Sequence, residues 1–257
     1  MKIIVSVKQV PARDSAFKVD EEGKWLEESD LTYEMNEPDA YALEEALQLR
    51  EKLGGEVVVL CAGPQRAVQT IREALAKGAD RAIHVQLDEQ DRFDALGTAR
   101  ILAAAIKSEA ADLVLTGLQS DDLGYGQTGV VMAELLGFSH ATIVMEVEPK
   151  NGSVLVKREL ENGWFQNVEL PLPAVLTIQS GIKKLRYATL MGIKKAKTKE
   201  VKTTAASQLS ASSGTPGTII ERVYLPQRNK QTQLLEGDAR KVAHDLIEKL
   251  KFEARVI

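Results

Sequence analysis

Cysteine is nearly absent from this sequence of 257 residues, in which Cys61 stands alone. A single cysteine excludes an internal disulfide, and its place in an apolar run favours a buried structural thiol. Long apolar runs are also lacking, since none approaches the roughly 18 residues that a membrane-spanning helix needs. The opening segment KIIVSVKQV is too short for the apolar region of a signal peptide. We therefore expect a soluble, cytoplasmic protein that does not insert into membranes.

The sequence also lacks the short motifs of common enzyme classes. Its histidines are scattered without the spacing of metal ligands: His84, His140 and His244. It contains no G-x-S-x-G nucleophile elbow and no Walker lysine. Arg158 and Glu159 are neighbours on a predicted strand, so they point to opposite faces and cannot form one catalytic pair. These absences predict a protein without bond-making machinery and without a metal site.

Net charge is small, at −4, and nothing in the overall balance suggests nucleic acid as a partner. The distribution is uneven, however. Residues 181–202 carry seven lysines and Arg186 against Glu200 alone, which gives that segment a charge of +7 and leaves −11 for the rest. A basic patch on an acidic body predicts a local docking surface.

The first part of the chain alternates short apolar segments with amphipathic ones. Lys2–Val10 is β-branched and the run 56–63 is continuously apolar, so both predict strands. Asn36 with Pro38 begins a helix that Gly54 ends. Similar alternation continues to the strand 140–149 and makes about five strand–helix units. This pattern predicts an α/β fold with a doubly wound, mainly parallel sheet.

The pattern becomes antiparallel at Lys150. Asn151–Gly152 is a strong hairpin turn, and three strand-like segments follow it at 153–163, 164–171 and 173–180. We expect these strands to form a β-hairpin extension at one edge of the sheet.

The last part of the chain looks like an arm. Residues 203–217 have few apolar side chains and predict a linker. Asp238–Lys251 then predicts an amphipathic helix with an apolar stripe. An arm beyond a core that already looks complete is expected to pack on another subunit.

The segment Val114–Gly137 is the strongest candidate for a binding site. A buried strand leads through a polar loop into a helix that starts at an N-cap, Thr128, and ends at Gly137. Free amides at such a helix start attract anions. Its glycines spell the nucleotide fingerprint G-x-G-x-x-G: Gly124, Gly126 and Gly129. About six residues separate the strand from the first glycine, so a surface loop that merely closes a crossover is an equal alternative.

Other strand exits are expected to join this loop. In a parallel sheet, ligands lie outside the carboxyl ends of the strands at the reversal of strand order. The segments Val5–Val7, Cys61–Gly63 and Gly117–Gln119 follow three such ends, and Asn36 lies at a helix start that can reach them.

Residues 156–197 resemble the β subunit of electron transfer flavoproteins. The matching features are V-x-R with an acid, a glycine turn, a later acid at Glu169, P-A-V, and R-Y-A-T-L with trailing lysines. Further matches are VKQV at the first strand, M-N-x-x-D at Met35–Asp39, TIREALAKGADR at Thr70–Arg81 and the Q-T-G of the candidate loop. The resemblance covers essentially the whole chain, and it looks closest to the branch that serves trimethylamine-type dehydrogenases.

This resemblance implies a fold like that of the adenine nucleotide α-hydrolases and a heterodimer whose α subunit holds most of the FAD. The β subunit contributes an AMP site in ordinary members, and a second FAD occupies that place in bifurcating members. Electrons arrive from flavin-containing dehydrogenases and leave to a quinone reductase or another acceptor oxidoreductase. Such a protein is an electron carrier and not an enzyme.

The resemblance also implies residue roles. Its AMP site falls on Ser6, Asn36, Glu37, Pro38, Asp39, Ala62, Asp122, Leu123, Gly124, Tyr125, Gly126, Gln127, Thr128, Gly129, Val130, Val131, Met132 and Ala133. Its docking segment falls on Tyr187, Leu190, Met191, Lys194 and Lys195, with Leu190 as the anchor. Glu159 and Arg186 match a pair that steadies the FAD domain. The implied organisation is a core at 1–185, a basic recognition loop at 186–202, and a linker and arm at 203–257 that pack on the α subunit.

Two other function classes stay open from the residues alone. One is a nucleotide-using enzyme or nucleotide-binding module of the same fold, for which the loop offers only Asp121 and Asp122. The other is a structural partner subunit with an empty pocket. Bound flavin in the complex would distinguish both from the electron carrier.

Overall fold

Nine strands form one sheet within residues 1–88, 93–209, 217–226 and 232–257, which the computed structural model of the protein describes. In chain order the strands are β1 (Lys2–Ser6), β2 (Gln9–Pro11), β3 (Tyr33–Met35), β4 (Glu56–Gly63), β5 (Arg81–Gln86), β6 (Leu113–Gly117), β7 (Ser139–Pro149), β8 (Ser153–Glu159), β9 (Phe165–Pro171), β10 (Ala174–Ile178) and β11 (Val201–Ala205). The helices are α1 (Glu37–Leu53), α2 (Val68–Lys77), α3 (Ala95–Lys107), α4 (Thr128–Leu136), α5 (Leu190–Ala196) and α6 (Ala239–Glu248). The large sheet has the order β11-β5-β4-β1-β6-β10-β7-β8-β9, and β2 pairs with β3 separately.

The strand order reverses between β1 and β6. From β1 the chain moves outward to β4 and β5, and α3 then carries it back to β6 on the other side of β1. The pairs from β11 across to β7 are parallel, so the carboxyl ends of these strands share one edge. A crevice at such a reversal is where open α/β sheets bind ligands. The predicted doubly wound, mainly parallel sheet is confirmed.

Helices cover both faces of the sheet. Successive strand residues point to opposite faces, so Ile3 lies in one core cluster with Leu43 of α1. Ile4 lies in a second cluster with Ile101 of α3 and Met132 of α4. These side chains are almost fully buried, and burial of apolar area at about 25 cal/mol per Å² drives the assembly of the layers. Within the described ranges, no helix has both the length and the apolar character needed to cross a bilayer.

The C-terminal part of the sheet corrects two expectations. β8 and β9 are antiparallel and lie at an edge, as predicted, but β10 is parallel and lies between β6 and β7. All five residues of β10 are buried, because a strand inside the sheet is covered on both faces. The linker predicted for residues 203–217 was wrong for residues 203–205, and its residues 210–216 lie outside the described residues. These belong to β11, an edge strand beside β5 that tolerates polar residues.

The N-terminal part also differs from expectation in one respect. The strand predicted over Lys2–Val10 is two strands, because the chain leaves the sheet after Ser6 and β2 pairs with β3 instead. The region between β2 and β3 contains an isolated bridge between Val19 and Leu26. Lys8 lies just before β2 and Arg13 shortly after it, and both contact the candidate loop at the carboxyl edge of the sheet.

Candidate functional site

The start of α1 ties together the two strand exits on either side of the crevice. Asn36 occupies the N-cap position of α1 without a side-chain capping bond, and Pro38 lies in the first turn, as predicted. The Oδ2 of Asp39 accepts the Lys8 N–H at 2.8 Å, just beyond β1. Its Oδ1 accepts the Gly117 N–H at 2.8 Å, at the end of β6. One carboxylate therefore bridges the crevice.

Asn36 fixes the loop that follows β6. Its side-chain Nδ2 donates to the carbonyl of Gln119 at 3.0 Å, and its Oδ1 accepts the Asp121 N–H at 2.9 Å. Because Asn36 is only 1% exposed, these bonds use the two ends of an amide shielded from water. The path of the loop is thus set by a residue more than 80 positions earlier in the chain.

Burial changes the acidity of two groups beside the crevice. Burial raises the pKa of Asp39 to about 6, against the opposing effect of the hydrogen bonds from the Lys8 and Gly117 amides. Burial also raises the pKa of the Cys61 thiol to about 12, and the nearby Asp39 charge adds to this shift. Cys61 is fully buried and free, which confirms the predicted structural thiol.

Cations from the N-terminal segment neutralise the two acids of the loop. The Nζ of Lys8 lies 2.7 Å from Oδ1 of Asp122 and also donates to the Ser120 hydroxyl at 3.3 Å. Arg13 lies 3.1 Å from Asp121 and pairs with Glu37 as well. Although burial opposes ionisation, the Lys8 ammonium keeps the pKa of Asp122 below its usual range.

Sequence reasoning missed Lys8 and Arg13 as parts of this site. Lys8 follows the exit of β1 by two residues, and that position was a usable signal in the sequence. Arg13 lies in a polar stretch without periodicity. No local pattern there predicts its contact with a loop more than 100 residues away.

Helix α4 begins directly above the sheet edge. It starts at Thr128 with Gln127 as its N-cap, and no side chain caps it, so the prediction of Thr128 as the cap was wrong by one residue. A Cβ at Gly129 would lie 2.6 Å from Cγ2 of Thr177 and 2.9 Å from Oγ1 of Thr116. Only glycine lets the helix start this close to the ends of β6 and β10. The helix ends at Gly137 in a left-handed conformation, as predicted.

The start of α4 offers free backbone amides to an anion. The first amides of an α-helix have no partner within the helix, and here no side chain takes them. The helix dipole favours an anion at the same place. The described residues hold no cluster of three or more His, Cys, Asp or Glu side chains placed to bind a metal ion.

The residues assigned to the nucleotide by resemblance lie along one edge. Ser6 ends β1, Ala62 lies near the end of β4, residues 36–39 start α1, and residues 122–133 form the loop and α4. Not every side chain among them faces the crevice, since Met132 and Ala133 are buried in the core.

The loop expected for 186–202 is only partly a loop, because Leu190–Ala196 forms α5 and residues 201–202 begin β11. Thr189 caps α5 by accepting the Gly192 N–H at 3.0 Å. A Cβ at Gly192 would lie 2.3 Å from the carbonyl of Ala76, so glycine allows α5 to pack on the end of α2. The predicted docking side chains are strongly exposed: Tyr187 92%, Leu190 81% and Met191 61%.

Glu159 and Arg186 do not form the expected pair within this chain. Nε of Arg186 lies 2.8 Å from Oε2 of Glu44, and its Nη1 lies 2.6 Å from Oε1 of Glu51. Glu159 instead accepts from the amide of Gln179 at 3.2 Å. Arg186 therefore binds two carboxylates of α1, and Glu44 accepts from its guanidinium with both oxygens.

Fold and crevice together define a doubly wound α/β protein with a crevice at the reversal of strand order, where such sheets bind ligands. The electron transfer flavoprotein domain family matches residues 24–209. A β subunit of electron transfer flavoprotein from Methylophilus methylotrophus is 40% identical, over 96% of this chain and 97% of the relative. Those of Bradyrhizobium diazoefficiens (35%; 100% of each chain) and Homo sapiens (33%; 100% of this chain, 99% of the relative) are similar over the same extent.

The chain belongs to the electron transfer flavoprotein family, as a β subunit. It is therefore part of an electron carrier and not an enzyme, which confirms the prediction from the missing catalytic motifs. A β subunit also implies an α subunit as its partner.

Proposed function

We propose that this chain binds one AMP at the crevice between β1 and β6 and assembles with an α subunit that holds most of one FAD. When bound, the FAD supplies a group that can accept and release electrons. The residues of this chain supply the AMP site and the surface on which a dehydrogenase docks. AMP has a structural role in this proposal, because no described side chain is arranged for phosphoryl transfer at the loop.

One observation carries the proposal for AMP: α4 starts without a side-chain cap above the ends of β6 and β10, beside a loop fixed by Asn36. The amides of Gln127–Gly129 are the groups expected to hold the phosphate. Ser6 and Ala62 line the neighbouring strand ends, where the nucleoside would lie.

The charge of the site favours AMP over a second FAD. Lys8 and Arg13 approach the loop, but both pair with its carboxylates. The pyrophosphate of FAD spreads its charge over two phosphate groups, and the second phosphate needs donors beyond the start of α4. A single phosphate at the helix start avoids this requirement.

The test is to co-express the chain with its α subunit and purify the complex without added nucleotide. A visible flavin spectrum, followed by release and chromatography of nucleotides, is expected to give one FAD and one AMP per heterodimer. Two FAD and no AMP would move the protein to the bifurcating class. A complex without flavin would contradict the proposal that the heterodimer holds FAD. It would favour a structural partner subunit.

The exposed apolar and basic residues of the segment 186–202 are proposed to receive the dehydrogenase. Leu190 and Met191 project from the start of α5, and Lys194 and Lys195 follow them. An exposed leucine among lysines suits insertion into an apolar pocket with an acidic rim. We expect a trimethylamine-type flavin dehydrogenase as donor and a quinone reductase or another oxidoreductase as acceptor.

The C-terminal arm is proposed to pack on the α subunit. No residue of α6 is buried in the described structure, although the helix carries an apolar stripe. Leu246 is 47% exposed and Ile247 is 54% exposed. A partner that covers this stripe removes apolar area from water and stabilises the heterodimer.

A further inference from the structure

The floor of the crevice between β1 and β6 is filled by Asp39. Its two carboxylate oxygens accept the Lys8 and Gly117 amides, each at 2.8 Å. A Cβ at Gly117 would lie 2.6 Å from Oδ1 of Asp39 and 2.6 Å from Cβ of Pro38. The carboxylate and the Gly117 backbone are therefore in direct contact, and Asp39 is only 6% exposed. Its oxygens are already engaged and are not free to contact a nucleotide.

The geometry requires the ionised form of this side chain. A carboxylate accepts at both oxygens, so it satisfies both amides at once. An amide has no acceptor on its NH2 side, so one of the two bonds would be lost and a buried N–H would be left without its acceptor. A protonated acid accepts only weakly through its hydroxyl oxygen, so one of the two bonds would be weakened.

We propose that Asp39 is a positioning residue, whose ionised carboxylate holds the exits of β1 and β6 together and thereby sets the loop 118–127 in its nucleotide-binding form. The inference rests on the proposed AMP site. Within that site, Asp39 supports the loop and does not itself contact the nucleotide. Asn36 assists, since it holds Gln119 and Asp121 of the same loop. The loop then meets its ligand already ordered, and this lowers the entropic cost of binding.

Protonation of Asp39 is expected to loosen this arrangement. The charged and titratable groups that face it are the Lys8 ammonium beyond β1 and the Cys61 thiol of β4, with the Asn36 amide beside them. The thiol stays neutral, while Lys8 favours the carboxylate. Because burial raises the pKa of Asp39 to about 6, the two amides should be held firmly above that pH and less firmly below it.

The first experiment uses the wild-type αβ complex and needs no variant. Hydrogen exchange of the Gly117 and Lys8 amides is measured across the acid-to-neutral range and corrected for intrinsic rates. Relative to a reference amide elsewhere in the sheet, protection of both is expected to rise as pH increases through about 6. The Val57 amide, which donates to Asp80 at 2.8 Å, serves as the internal reference. Equal pH profiles for all three amides would overturn the proposal.

The second experiment compares Asp39→Asn with wild type after AMP has been removed from the complex. At pH above 7 the variant is expected to bind AMP about tenfold more weakly, the effect of one lost hydrogen bond to a charged group. Below pH 5 the two affinities should converge, because the wild-type carboxyl is then protonated. Titration of the AMP phosphate affects both proteins alike and cancels in this ratio.

Glu45→Gln is the matched control. Glu45 is another buried carboxylate of α1, with its Oε2 3.6 Å from Nζ of Lys183, away from the crevice. This variant should keep wild-type AMP affinity. Equal affinity of Asp39→Asn and wild type at every pH would overturn the positioning role. If wild type itself binds no AMP, the proposed AMP site fails, and the exchange profile of Gly117 and Lys8 alone decides the role of Asp39.

Discussion

Lys8 and Asp122 form an ion pair across the exits of β1 and β6, with Nζ of Lys8 2.7 Å from Oδ1 of Asp122. The pair joins residues 114 positions apart in the sequence. It neutralises an acid within the loop that is proposed to bind a phosphate. An unpaired carboxylate at this place would repel the ligand.

Removing this ammonium should weaken the loop. In Lys8→Met the partly buried Asp122 loses its cation, and the free energy of unfolding should fall by about 1 kcal/mol. Hydrogen exchange of the core amides of β1 and β6 in the αβ complex measures it. Lys18→Met is the control, because Lys18 pairs with Asp30 between two exposed side chains. Equal losses in both variants would contradict the prediction.

Local signals in the sequence predicted much of this fold. The start of α1 followed from Asn36 and Pro38, and its end followed from Gly54. The parallel layers followed from apolar runs that alternate with amphipathic segments. These features depend on neighbouring residues, so their periodicity and capping are visible in the chain itself.

The remaining errors concern contacts between distant segments. Nothing near β10 shows that it inserts between β6 and β7, because a buried strand has the same composition in either place. The partners of Lys8, Arg13 and Arg186 are likewise set by the tertiary fold. Within this chain Arg186 pairs with Glu44 of α1, which accepts from its guanidinium with both carboxylate oxygens, and not with Glu159.

Arg186 is expected to stabilise the start of the docking segment. Arg186→Ala leaves the buried Glu44 without its guanidinium, and the free energy of unfolding should fall by about 2 kcal/mol. Arg186→Lys should recover only part of this loss, because an ammonium cannot bind bidentately. Lys157→Ala, which breaks an exposed pair with Glu146, is the control. A loss of the same size in Glu159→Ala would instead indicate a shared pair.

The buried carboxylate of Asp39 should make stability depend on pH. Its pKa is about 6 in the folded protein, above the ordinary value of 3.8, so the folded state holds more protons between these values. Stability from this group therefore falls as pH rises through that window, because the cost of burying the charge exceeds the gain from the firmer hydrogen bonds of the Lys8 and Gly117 amides. The difference in unfolding free energy, wild type minus Asp39→Asn, should decrease by about 3 kcal/mol from acid to neutral pH. A difference independent of pH would show that burial does not perturb Asp39.

The α subunit should protect the terminal helix from exchange. Without it, the amides of α6 are expected to exchange fast, because none of its residues is buried and its contacts give it little support. In the heterodimer their exchange should slow at least tenfold. Leu246→Ser should reduce this protection, whereas the exposed neighbour His244→Ser should not. Full protection of α6 in the isolated chain would contradict the proposed packing on the α subunit.

Leu190 should dominate docking of the dehydrogenase. Its side chain is 81% exposed in the first turn of α5. An exposed leucine does not make the protein more soluble, whereas insertion into an apolar pocket of a partner explains its position. In Leu190→Ala the rate of flavin reduction by the dehydrogenase should fall at least tenfold, as expected for the loss of a central apolar anchor. Chemical reduction by dithionite, flavin content and stability of the αβ complex should stay unchanged.

Leu53→Ala, at an exposed apolar site at the end of α1, is the control and should transfer electrons normally. Raised salt should slow docking in wild type and variant alike, because Lys194 and Lys195 steer the encounter through charge. Unchanged transfer from every candidate dehydrogenase, the trimethylamine type included, would rule out Leu190 as the anchor.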